Sequence, residues 1–111
     1  MGYLGEFEQL ILFSVVKLGA EAYGGAIRET IEARTGRVVS SGAINTTLGR
    51  LAERKFVTSS PGAPAGRAGR PRKYYAVTPA GARALRDSYA RIQAIAGGVL
   101  PQLAALAEDD A

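Results

Sequence analysis

Gly66-Arg67-Ala68-Gly69-Arg70-Pro71-Arg72-Lys73-Tyr74-Tyr75 places four cations within eight residues of a glycine- and proline-punctuated segment, then runs into an aromatic one. Glycine and proline favour turns, and clustered cations attract a polyanion. Taken alone, the run reads first as a solvated basic loop. Its flanks decide between the two. Phe56-Val57-Thr58-Ser59-Ser60 before it and Lys73-Tyr74-Tyr75-Ala76-Val77 at its end are both β-prone. The pair predicts a hairpin whose long basic tip spans residues 61–72.

Upstream, the pattern is helical. Leu4, Phe7, Ile11, Ser14 and Leu18 recur at spacings of three and four, predicting a mostly buried helix over residues 4–18 that Gly19 ends. Tyr23-Gly24-Gly25 reads as a turn. A second helix is expected from about Gly24 to Thr35, with Ile27 and Ile31 inward and Gly36 as its stop. Val38-Val39 is at most a very short strand. Ser40-Ser41 then supplies an N-cap for a third helix reaching about Lys55, with Ile44, Leu48 and Leu51 as its core stripe. Its other face carries Gly42, Asn45, Thr46, Gly49 and Arg50, small or hydrogen-bonding residues rather than a Lys/Glu mixture.

Downstream, Thr78-Pro79 signals a helix start. Leu85, Tyr89, Ile92, Ala96, Val99, Leu103 and Leu106 then alternate spacings of four and three, a heptad-like seam. Gly97-Gly98 and Pro101 predict a kink or break within it, since proline removes a donor and clashes with the preceding turn. Glu108-Asp109-Asp110-Ala111 reads as an acidic tail.

The 111 residues suit one modest core, with residues 1–78 expected as the principal unit and residues 79–111 as an appended helix and tail. The net charge of +4 is uneven: residues 67–73 alone carry +4, residues 28–55 carry +3, and both ends are mildly acidic. One basic face with an anionic partner follows. The chain has no Cys and no His, which removes thiolate chemistry, the commonest general base and the commonest zinc ligand together. No enzyme activity, metal or cofactor is expected. No apolar run approaches a membrane span, and Glu6 and Glu8 stand where a secretory signal would be basic, so a cytoplasmic location is expected.

Three helices, a two-stranded hairpin with a basic tip and a long last helix describe a mainly α fold, a winged helix-turn-helix with a C-terminal dimerisation helix. In that architecture the third helix, about residues 41–54, enters the major groove of double-stranded DNA. Asn45 and Arg50 suit adenine and guanine edges, and Thr46 suits a thymine methyl or a phosphate. Ser40 and Ser41 stand with the free amides of a helix start, where a phosphate can bind. Gly42 and Gly49 permit close approach. Arg67, Arg70, Arg72 and Lys73 would grip the backbone. Plainer readings stand beside these: Asn45 as an exposed helix residue, and Arg50 or Arg54 paired with Glu53 or Glu32. The seam could fold back on its own domain or pair with a second copy, and a dimer that links two half-sites favours pairing. Phe7, Phe13, Tyr89 and Ile92 could line an apolar pocket or serve as core and interface. A protein–protein adaptor docking on an acidic partner is the alternative function.

These residues resemble the PadR family of bacterial transcriptional regulators. Residues 40–51, from Ser40-Ser41-Gly42 to Arg50-Leu51, are similar to its recognition helix. Gly69 to Gly81 is similar to its wing strand and the lead into its last helix, and Tyr23-Gly24 to its Tyr-Gly turn. The resemblance spans about residues 4–95 and implies a homodimeric repressor of an inverted-repeat operator, released by a small effector or another signal. The short C-terminal region resembles the family's smaller class, in which flat ligands sit between subunits in some members. Two departures stand out: Asn45 occupies the place of a usual Tyr, and Lys55 that of a glycine, where a left-handed helix cap would be strained.

Overall fold

The helical face of each early segment is set by its apolar spacing, and the three helices bury those faces against one another. The computed structural model describes residues 3–64 and 71–108. Helix α1 spans Glu6–Leu18, α2 Gly24–Thr35 and α3 Ser41–Glu53; a hairpin of β1 (Val57–Pro64) and β2 (Pro71–Val77) follows, then α4 (Pro79–Ala96) and α5 (Leu100–Glu108). The core joins Ile11, Leu12 and Val15 of α1 to Ile27 and Ile31 of α2 and to Ile44, Leu48 and Leu51 of α3. Ala84 and Leu85 close it from α4.

Several boundaries differ from the expected ones. α1 begins at Glu6, because Gly5 is extended and the Glu8 side chain accepts from its amide. Residues 38 and 39 form no strand; Val39 drops into the core while Val38 faces outward. Extended pairing instead occurs at Tyr23, which bridges Tyr74, while the amide of Tyr75 donates to the carbonyl of Ala22 over 2.8 Å. The expected turn at residues 23–25 therefore opens with a contact to the free edge of β2. Pairing in the hairpin runs from Val57↔Val77 to Pro64↔Pro71, with an irregularity between Pro61 and Pro64. The strands thus consume both ends of the predicted tip. Their prolines are tolerated because each strand of a pair has a side that needs no partner.

α3 ends at Glu53, two residues short of expectation, in a Schellman arrangement. The amide of Phe56 donates to Leu51 and that of Lys55 to Ala52, both at 2.9 Å. This geometry puts Lys55 at φ 65°, the only non-glycine with positive φ among the described residues. The strain foreseen there is present. Thr78 braces the turn: its hydroxyl donates to the Lys55 carbonyl (2.7 Å) and accepts from the Gly81 amide (3.0 Å), capping α4 as expected.

The break in the last helix falls where it was expected, but for a different reason. Gly97 ends α4 and Gly98 takes φ 86°. Pro101 sits in the first turn of α5, where no backbone donor is required of it. No described helix is long and apolar enough to cross a membrane.

Candidate nucleic-acid interface

The amphipathic division of α3 is complete. Ile44, Leu48 and Leu51 are buried, whereas Ser40, Ser41, Gly42, Asn45, Thr46, Gly49 and Arg50 are all exposed. Spacings of three and four put Gly42, Asn45, Thr46, Gly49 and Arg50 on one outward face. Ser40 is the N-cap, its hydroxyl accepting from the Ala43 amide over 3.0 Å. Accepting that bond leaves the hydroxyl proton free, so Ser40, Ser41 and the amides of the first turn all offer donors at this end of the helix. A Cβ at Gly49 would meet nothing of this chain within 4 Å. The folded chain itself therefore imposes no demand for glycine there.

None of the ion pairs that the sequence offered Arg50 and Arg54 forms. Arg54 turns toward α1, pairing with Glu8 at 3.3 Å and lying 4.6 Å from the Phe56 ring centroid. Glu32 pairs with Arg28 at 3.9 Å. Among the described residues Arg50 makes no ion pair, which leaves its guanidinium available on the outward face.

Arg67 and Arg70 lie outside the described residues. Arg72 and Lys73 stand on β2 rather than in a loop, both exposed. Arg72 and Tyr74 are two apart on the strand and so share a face. The Arg72 guanidinium lies 4.0 Å from the Tyr23 ring centroid, and the Tyr23 and Tyr74 rings meet edge to face at 5.7 Å. A hydrogen bond to Tyr74 raises the Arg72 pKa above its usual range, and the nearby Tyr23 adds to this. Gly62 on β1 makes room for this packing, since a Cβ there would run into the Tyr74 ring.

The Tyr23-Gly24 corner also touches α3. A Cβ on Gly24 would lie 3.3 Å from Asn45 Oδ1, so this α3 side chain sits against the start of α2. One corner thus contacts the base of the wing and the polar face of α3 together. Tyr23 was absent from the residues expected at this site. The signals that could have revealed it are the Arg72/Tyr74 alternation and the aromatic immediately before a glycine-opened helix.

The far end of the chain offers a second surface. Leu85 is buried in the chain's own core and has little to give a partner. Tyr89 packs edge-on against Phe13 at 5.4 Å yet remains 44% exposed. Ile92, Leu103 and Leu106 are exposed, Ala96 and Val99 half-buried, and the seam is widened by exposed Ile95 and Leu100. α5 buries no residue at all. Phe13, Tyr89 and Ile92 also line a groove of about 800 Å³ between α1, α2 and α4, with Leu10 and Ile31 among its apolar walls and Lys17 and Arg34 among its polar ones. Phe7 does not line it.

A family model, the transcriptional regulator PadR-like family, matches residues 12–87, which include all of this interface from α2 to β2. The chain belongs to the PadR-like family of transcriptional regulators. Solved structures agree. A PadR family transcription regulator from Clostridium difficile R20291 superposes with a TM-score of 0.72 at 22% identity, over 89% of this chain and 99% of that one. A PadR family transcriptional regulator from Eggerthella lenta DSM 2243 gives 0.64 at 27% identity, over 88% and 86%. A putative transcriptional regulator from Thermoplasma acidophilum gives 0.66 at 24%, over 86% and 90%. A search of curated proteins finds no match. As a PadR-like regulator the chain is a transcription factor, not an enzyme, and its fold is the winged helix-turn-helix expected from the sequence.

Proposed function

We propose that this PadR-like regulator is a cytoplasmic homodimeric repressor that binds double-stranded operator DNA through α3 and the wing. The observation that carries this is the shared corner: Tyr23 stacks on Arg72 while Gly24 abuts Asn45. The basic strand and the hydrogen-bonding helix face are therefore contiguous, as one ligand contacting both requires. Asn45, Thr46 and Arg50 read base edges, while Arg72 and Lys73 hold phosphates, a task the sequence also assigns to Arg67 and Arg70. Membership in a family of transcriptional regulators favours this over an adaptor that docks on an acidic protein.

The unpartnered apolar stripe of α4 and α5 supports the dimer. Exposed apolar surface of this extent marks an interaction site. A second copy covers it by laying its arm along the α1–α2–α4 groove, whose Leu10, Phe13 and Ile31 walls suit the exposed Leu103 and Leu106 of that arm. Residues 79–111 then serve as the dimerisation segment, and an apolar effector entering between the copies would release the DNA. Footprinting of the region upstream of the regulator's own gene tests the proposal. Two protected half-sites about one helical turn apart are expected. Protection of no site, with a stable complex to an acidic protein instead, would contradict it.

A further inference from the structure

We propose that Tyr23 is a positioning residue for DNA recognition, a brace that fixes the distance between the base of the wing and the recognition helix. The inference rests on the DNA-binding function proposed above. Tyr23 belongs to neither DNA-reading element, yet it contacts one directly and adjoins the other. Its backbone bridges Tyr74, its ring carries the Arg72 guanidinium at 4.0 Å, and it is the N-cap of the helix whose first residue abuts Asn45. An arginine on a hairpin has several rotatable bonds, so it can meet a phosphate from many positions and sets no register unless something holds it. Stacking on Tyr23, whose ring in turn packs edge to face on Tyr74, holds it in advance. The edge of a stacked guanidinium still offers its N–H donors to a phosphate. The wing therefore does more than add charge: its root cation stands at a set place relative to Asn45.

A brace and a simple charge predict different behaviour. Charge alone acts equally on all DNA, whereas register matters only when base edges are being read. Tyr23→Leu keeps every cation but removes the ring. Operator affinity is expected to fall roughly five- to tenfold while affinity for random duplex changes less than about twofold and the salt slope stays the same. Tyr23→Phe keeps the ring and should retain the wild-type preference. Arg72→Ala, by contrast, should weaken both DNAs and flatten the slope by about one. In the free protein, ring-current shifts of the Arg72 side-chain protons should be present in wild type and Tyr23→Phe and lost in Tyr23→Leu. Equal loss on both DNAs, as partial unfolding would give, overturns the brace, as does unchanged operator binding or an absent ring-current shift. Failure of the wild-type protein to bind any DNA would instead overturn the function on which the brace depends.

Discussion

The amide of Leu4 donates to the hydroxyl of Ser88 across 3.1 Å, a buried hydrogen bond between residues 84 apart in the chain. It ties the segment before α1 to the middle of α4, next to the point where α4 stops serving the core and begins to present its apolar stripe. Ser88→Ala leaves a buried backbone donor without this acceptor, at a cost of about 1–2 kcal/mol. Urea unfolding should show a lower midpoint at an unchanged m-value.

Lys55 stands where the turn after α3 calls for a left-handed residue. An L-residue there carries roughly 1–2 kcal/mol of strain, part of which glycine returns through its greater freedom in the unfolded chain. Lys55→Gly should therefore stabilise the protein by about 0.5–1 kcal/mol. The same urea titration checks it, and a lower midpoint would show that the lysine side chain contributes something this structure does not display.

The apolar stripe beyond Tyr89 should determine the oligomeric state. Ile92→Glu puts a charge into the proposed seam at an exposed position, so the single-chain fold should survive. Sedimentation should show monomer where the wild type is dimer, and operator affinity should fall by a factor on the order of a hundred as the linkage of two half-sites is lost.

Acid should act on this protein through its carboxylates. With no histidine, no side chain ordinarily titrates between pH 5 and 8. A hydrogen bond from Arg86 holds the Asp87 carboxyl below its usual range. A depressed carboxyl favours the fold above its unfolded pKa and loses that contribution as pH falls through the folded value. The unfolding midpoint should be flat from about pH 5.5 to 7.5 and decline only below the ordinary carboxylate range. Asp87 is exposed, so added salt should shrink the Asp87→Asn difference toward nothing.

Asn45→Ala and Arg50→Ala should relax sequence preference by about 1–3 kcal/mol per lost base contact, with little change on random DNA. Competition binding against single-base variants of the operator would read this directly.

The sequence made the helices and hairpin legible wherever a local rule sufficed: apolar spacing in α1 to α3, the Ser40 and Thr78 caps, and the Gly36 stop at φ 74°. Contacts between distant segments were not legible that way. The aromatic before a glycine-opened helix marks Tyr23 as unusual but does not name Tyr74, 51 residues on, as its partner, and the Glu8 partner of Arg54 lies 46 residues away. The seam shows the same limit. Periodicity gave Leu85 and Leu103 the same standing, but only packing reveals that the first is buried in its own core and the second is left for another surface.

The most direct test of the account measures operator and random-duplex affinity across a salt series. A log K against log salt slope of several units is expected on both DNAs, with an operator affinity at least about a thousandfold higher near physiological salt. Equal affinity for the two, or binding indifferent to salt, would contradict it.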